Sequence, residues 1–229
     1  IIGHEAAGVV SKVGAGVTRW KPGDKVCCAS GSVIEMSRYF NINQGCLAAM
    51  PEDSDDYVSW VIEPTCTVQN VINWADVQPG SHVVLVGAGY MGQLTLMGLR
   101  AQPWGKLTVF EKNESRLAML SRYETTACYH PETAEGQSAI ERIRREGGAD
   151  LVIEFSASDD GYQLAQKLVK SQKGRLTIGS WHRHEMTFDG TAWHMGGLIV
   201  NNVSPMTTFH YEDIIEPTAA LIKRGVYAP

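Results

Sequence analysis

No apolar run in the sequence approaches the roughly 20 residues needed to cross a bilayer, and no charged start followed by an apolar stretch marks a signal peptide. Net positive charge is lacking too. The formal charge is -5, and the basic residues are scattered through both halves rather than gathered into a stripe on which a phosphate backbone could release counterions. Neither membrane nor nucleic acid is therefore an expected partner. Cysteines are few: Cys27, Cys28, Cys46, Cys66 and Cys128 are odd in number and irregular in spacing, which fits reduced thiols in a cytoplasmic protein better than a disulfide framework. Internal repeats and low-complexity tracts are absent. What remains is ordinary globular material, 44% hydrophobic and 20% charged over 229 residues, enough for one large or two modest domains. The chain opens on Ile1-Ile2-Gly3-His4 without an initiator Met and stops at Ala228-Pro229 just after a helical stretch, so a piece of a longer protein is expected.

Two textures divide the sequence. Residues 1–50 are rich in Gly and Val, with turn signals at Gly14-Ala15-Gly16 and Lys21-Pro22-Gly23-Asp24 between short β-prone runs, and predict an all-β piece. From about Ser81, short apolar strands alternate with helical stretches, the pattern of a parallel sheet covered on both faces. Strands are expected at His82 to Val86, Leu107 to Phe110, Ala127 to Tyr129, Leu151 to Phe155, Arg175 to Ile178 and Leu198 to Val203. Helices are expected at Met91 to Ala101, Glu114 to Arg122, Ala134 to Glu146, Gly161 to Val169 and Glu212 to Lys223. The change of domain falls near Glu63 to Asn70.

The strongest local signal is Val83-Val84-Leu85-Val86, a strand buried on both faces, running into Gly87-Ala88-Gly89-Tyr90-Met91-Gly92. In this GxGxxG, Gly87 permits the turn, Gly89 lets a pyrophosphate approach the backbone, Gly92 lets the following helix pack on the strand, and Tyr90 and Met91 between them are expected to join the glycines in binding the cofactor. A second strand follows and ends at Glu111, about twenty residues beyond the last glycine, where an acid accepts the adenosine ribose hydroxyls and disfavours a 2′-phosphate. Lys112 and Arg116 are cations beside the same ribose and could partner a phosphate. The unit predicts a Rossmann, doubly wound α/β sheet binding NAD in preference to NADP. Ser156, Gly179 and Ser180 follow later strands and are expected to line the nicotinamide end, since ligands sit at the carboxyl ends of parallel strands.

The segment Gly3-His4-Glu5-Ala6-Ala7-Gly8-Val9-Val10, followed by Val13-Gly14, by Pro22-Gly23-Asp24-Lys25-Val26, by Glu63-Pro64 and by the glycine fingerprint, resembles in its order the zinc-dependent medium-chain dehydrogenases/reductases, and Glu63-Pro64 resembles their sorbitol and polyol branch. The resemblance runs over essentially the whole chain. It implies part of a GroES-like all-β catalytic domain at 1–66, a Rossmann domain at 67–209 and the start of a return helix at 210–229. It further implies one catalytic zinc held by His4, Glu5 and Glu63, with a position left for the substrate oxygen; Glu5 could be a direct ligand or a supporting partner, and Glu63 could merely cap the following segment, although its spacing favours the metal. The metal would acidify a secondary alcohol, of polyol or sugar type, whose hydride passes to NAD. The family's first ligand is a cysteine well before the His, outside this sequence, so the chain alone is expected to be a poor catalyst. Cys66 is weighed as a substitute ligand but reads better as a small core residue. Without CxxC spacing after the PGD turn, where Gly31-Ser32 and Arg38-Tyr39-Phe40 separate Cys28 from Cys46, no structural zinc is expected.

His182, Arg183, His184, Glu185, Trp193 and His194 form a cluster read as a solvated loop rather than a metal site. The run Leu198 to Val203 would leave an apolar sheet edge, and the resemblance implies a homodimer or homotetramer pairing such edges. The competing readings are a zinc-free quinone or enoyl reductase using NADPH, against which His4 and Glu111 both speak, and a nucleotide-binding module without chemistry.

Overall fold

The computed structural model describes residues 3–30, 37–204 and 210–228. The strand-like opening at Ile1-Ile2, Gly31-Ser32, the expected domain limit at 209 and the terminal Pro229 lie outside the described residues. The chain divides into two compact units, one made of Ile1–Asn70 with Ser204–Pro229 and the other of Val71–Val203.

In the first unit β1 (Glu5–Val9), β2 (Lys25–Ala29) and β3 (Leu47–Ala49) form an antiparallel sheet in that order, with Ala6 opposite Cys28 and Cys27 opposite Ala48. The two-residue period of a strand sends neighbours to opposite faces. Cys27, Ala29 and Ala48 thus join Trp60, Ile62 and Cys66 in one cluster, while Val26, Cys28 and Leu47 pack against Trp20 and Phe40 in another. With both faces covered, burial pushes the Cys27 thiol up to about 12, so it is an apolar filler and no nucleophile.

Helix α1 (Glu63–Ala75) was not anticipated from the sequence, although Val68, Val71, Ile72 and Ala75 recur at the i, i+3, i+4, i+7 spacing of one helix face. Val68, Val71, Ile72 and Ala75 are buried together with Thr65 and Cys66, and Pro64 occupies the first turn, where its missing N–H costs nothing. The division between the units falls inside this helix, after Asn70.

The second unit alternates β4 (His82–Val86), α2 (Tyr90–Leu99), β5 (Lys106–Phe110), α3 (Glu114–Met119), β6 (Ala127–Tyr129), α4 (Ala134–Arg145), β7 (Leu151–Glu154), α5 (Asp159–Leu168), β8 (Arg175–Ile178), α6 (Gly190–Gly196) and β9 (Ile199–Asn202). Its six strands are all parallel, in the order β6-β5-β4-β7-β8-β9. This is the doubly wound Rossmann order, and the chain reverses direction across the sheet between β4 and β7, where such folds open a crevice at the strands' carboxyl ends. Helix α7 (Tyr211–Lys223) then belongs to the first unit and packs on β2 and β3, burying Tyr211, Ile214, Ile215 and Ala219.

The strand and helix expectations from Ser81 onward match these elements to within a residue or two, with two exceptions. The stretch expected as helix to Arg122 ends at Met119 and finishes in a tighter turn, Leu120–Arg122. Trp193 and His194, expected in a loop, sit on α6, whose start is capped by the Asp189 carboxylate accepting from the Ala192 N–H at 2.9 Å. His182, Arg183, His184 and Glu185 remain outside regular structure.

Candidate functional site

His4 precedes β1, Glu5 opens it and Glu63 opens α1, so two distant pieces of sequence within the first unit bring an imidazole and two carboxylates together. The ligand atoms of His4, Glu5 and Glu63 all lie within 4.8 Å of one another. His4 Nε2 is 3.7 Å from Glu63 Oε2 and 4.0 Å from Glu5 Oε1. The three differ in setting: Glu63 is 6% exposed, whereas His4 and Glu5 are 39% and 43% exposed, giving the cluster one fixed and two adjustable members. Burial drives the Glu63 carboxyl above the usual range, opposed by a hydroxyl hydrogen bond from Tyr211 and by the ring of His4. A carboxylate at a helix start also faces the positive end of the helix dipole. One nitrogen and two anionic oxygens converging at this spacing suit zinc better than a harder cation that prefers oxygen alone. Cys66 belongs elsewhere. Its thiol is fully buried, hydrogen-bonded to Thr218 and raised by burial, and it packs with Cys27 and Trp60.

In the second unit a cavity of about 850 Å³ opens at the carboxyl ends of β4, β5 and β7, lined by Val86, Phe110 and Phe155 on the apolar side. Among the residues expected to hold a dinucleotide, Gly87, Gly89, Glu111, Lys112, Arg116 and Ser156 line it. Gly87 has φ 92, and a Cβ there would meet the Ser156 N at 2.6 Å. A Cβ on Gly92 would lie 2.2 Å from the Gly87 carbonyl oxygen, so this glycine seats α2 against the loop. Gly89 differs from both. Its φ is -66, and the nearest atom to an added Cβ is Arg116 Nη1 at 3.6 Å. No steric contact among the described residues requires glycine at this position, whereas a pyrophosphate resting on the backbone would.

Glu111 is buried, and its two oxygens accept the N–H groups of Ala88 at 2.6 Å and Asn113 at 2.7 Å, tying the glycine turn to the end of β5. Each oxygen keeps a second lone pair for a hydroxyl. Asn113 caps α3 by accepting from the Arg116 N–H at 2.9 Å, which points this basic turn at the same wall. Lys112 is neutralised by Glu132 at 2.5 Å, while Arg116 has no ion pair among the described residues.

Five expected cofactor residues fall outside the lining. Tyr90 and Met91 begin α2, and Gly92 lies under the loop. Gly179 is pressed against the Phe155 ring, which an added Cβ would meet at 2.4 Å. Ser180 donates to Glu154. That carboxylate, at the end of β7 and fully buried, was missed from the sequence. It accepts from the Ser156 N–H at 2.6 Å, the Ser156 hydroxyl at 2.5 Å and the Ala157 N–H at 3.2 Å, and it bonds His182 Nε2 at 2.9 Å. Glu154 thereby ties the loops after β7 and β8 together. His184 bonds Asp159 at 2.7 Å. Also missed were Arg144 and Lys167, which line the cavity from α4 and α5. As long polar residues on helix surfaces they carried no distinguishing signal.

Residues 1–52 match the alcohol dehydrogenase GroES-like domain. D-xylulose reductase A of Aspergillus oryzae is 27% identical over 219 residues, covering 82% of this chain, and this chain spans 61% of that protein's length. Among solved structures, benzyl alcohol dehydrogenase from Acinetobacter calcoaceticus superposes with a TM-score of 0.79 at 17% identity, over 99% of this chain and 74% of the other. Galactitol-1-phosphate dehydrogenase from Escherichia coli does so with a TM-score of 0.76, also at 17% identity, over 99% and 74%. With the GroES-like match at its start, a Rossmann sheet after it and a relative aligned over 82% of its length, the chain is similar to the alcohol and polyol dehydrogenases and shares their fold.

Proposed function

We propose that the protein is a zinc-dependent oxidoreductase passing a hydride between a secondary alcohol of polyol or sugar type and NAD. The observation that carries this reading is the convergence of His4, Glu5 and Glu63, which brings one nitrogen and two carboxylate oxygens within 4.8 Å of one another, the donor set and spacing of a zinc site. His4 would offer a neutral ring nitrogen, Glu63 one oxygen, and the exposed Glu5 either an oxygen or a hydrogen bond to a ligand's hydroxyl. When bound, zinc supplies Lewis acidity toward an alcohol oxygen, and nicotinamide supplies a hydride acceptor.

The chain's own residues position those reactants. Gly87 and Gly89 leave the backbone bare for the pyrophosphate at the start of α2, Glu111 accepts ribose hydroxyls, and Arg116 stands over the same edge of the cavity. The Glu111 carboxylate repels a 2′-phosphate, which favours NAD over NADP. D-xylulose reductase and galactitol-1-phosphate dehydrogenase are named for polyhydroxylated substrates or products, which supports a polyol or keto-sugar here. The test is a panel of polyols and simple secondary alcohols supplied with NAD+ to the zinc-loaded chain. NADH formation that depends on both zinc and a polyol is expected. NADH formation indifferent to chelation would sink the zinc reading, and reactivity confined to simple alcohols would sink the polyol assignment.

A further inference from the structure

Glu63 is held asymmetrically. Its Oε1 accepts from the Tyr211 hydroxyl and from Thr67 Oγ1 at 3.2 Å, and each carboxylate oxygen has two lone-pair positions, so Oε1 is fully occupied. The hydrogen bonds to Glu63 among the described residues all fall on this oxygen, and Oε2 is the one that faces His4 Nε2, at 3.7 Å. Thr67 lies four residues after Glu63 and so shares its face of α1. Tyr211 arrives from far along the chain as the first residue of α7, and its ring is fixed in the core with Trp60, Ile62 and Cys66.

We infer that Tyr211 is a positioning residue: by saturating Glu63 Oε1 it turns the carboxylate so that Oε2 alone is presented beside His4, making Glu63 a single-oxygen donor to a metal. This rests on the zinc reading above. A bidentate carboxylate would have to surrender two buried hydrogen bonds, so the hydroxyl pair limits the number of bonds as well as their direction. Partners of this kind around a metal ligand are worth about 10–100-fold in metal affinity.

The experiment titrates Co2+ into the chelator-stripped 229-residue chain and follows both the dissociation constant and the visible absorption, which weakens as cobalt goes from four-coordinate to higher coordination. Wild type, Tyr211→Phe, Glu63→Gln and the double variant are compared, with circular dichroism of each metal-free protein as the check on folding. Wild type is expected to take up one Co2+ per chain. Tyr211→Phe should bind about 10–100-fold more weakly, with an altered spectrum, and should cause no further loss once Glu63→Gln is present. Equal affinity and an unchanged spectrum in Tyr211→Phe would overturn the inference while leaving the zinc reading intact. So would an equal loss in the Glu63→Gln background, since that is the mark of a purely structural role. Failure of wild type to bind Co2+ would overturn the zinc reading and the inference with it. If Tyr211→Phe does not fold, Thr67→Val removes the other hydroxyl; weaker binding with a changed spectrum is expected, and no change refutes the inference.

Discussion

Substituting Gly89 by alanine separates what the fold needs from what a dinucleotide needs. The backbone at this position is already in a region open to any residue, with φ -66 and ψ -167, and the added Cβ would find only Arg116 Nη1, at 3.6 Å. Reducing the freedom of the unfolded chain stabilises by about 0.4–1 kcal/mol. Against this, alanine is a poorer helix N-cap than glycine, which costs about 0.5–1 kcal/mol. The two nearly cancel, so the melting temperature should move by no more than about 3 °C. The new methyl would, however, stand on the cavity wall where the pyrophosphate is expected, and the affinity for NADH should fall at least tenfold, about 1.4 kcal/mol. Gly92→Ala is the control. Its Cβ would press on the Gly87 carbonyl oxygen at 2.2 Å, an overpacking that costs about 1–3 kcal/mol of stability. Calorimetric titration of NADH together with thermal unfolding reads both quantities. If Gly89→Ala binds NADH as wild type does, or if it unfolds as readily as Gly92→Ala, the assignment of this turn to a pyrophosphate is wrong.

Three other outcomes are expected. NADH should bind at least about 10-fold more tightly than NADPH through Glu111, and Glu111→Gln should narrow the gap; a preference for NADPH in wild type would transfer the deciding role to Arg116. Burial, reinforced by Lys106, lowers the His82 pKa from 6.5 to about 4. The folded ring therefore refuses a proton that the unfolded chain accepts, and stability that is whole above pH 6.5 drains away as pH falls toward 4. After allowance for the ring's partial exposure this amounts to roughly 1–2 kcal/mol. Urea unfolding at pH 7 and pH 4.5 should show a smaller acid loss in His82→Gln than in wild type, and equal losses would refute the assignment. Glu154→Gln leaves the hydroxyls and N–H groups of two loops facing a neutral amide and should lower stability by about 2–3 kcal/mol, measured by denaturant unfolding. A change under about 0.5 kcal/mol would mean that those bonds do not hold the loops.

The second unit was far more legible in the sequence than the surroundings of the metal candidates. Val83 to Val86 are buried on both faces and the glycines follow at once, so strand, turn and helix announce one another within ten or so residues. Glu111 could be placed for the same reason, by its distance along the chain from those glycines. Contacts that close over long separations carried no such signal. Tyr211 meets Glu63 across 148 residues, and neither position advertises the other. Thr67 could have been found, but only had α1 been recognised, since the i to i+4 relation to Glu63 exists on a helix alone. The polar residues after β8 illustrate the converse difficulty. His182 looked like any loop histidine, yet its ring is nearly buried against Glu154, a carboxylate hidden by the apolar run Leu151-Val152-Ile153 that precedes it.

Direct hydride transfer from a polyol carbon to a nicotinamide carried by this chain, as proposed above, is tested by supplying the zinc-loaded protein with NAD+ and a polyol deuterated at its secondary carbinol carbons and weighing the NADH by mass spectrometry; label accumulates, so even slow turnover registers. NADH carrying one deuterium at the nicotinamide ring is expected, with none formed by a Glu63→Gln variant. Unlabelled NADH, or labelled NADH from Glu63→Gln at the wild-type rate, would contradict it.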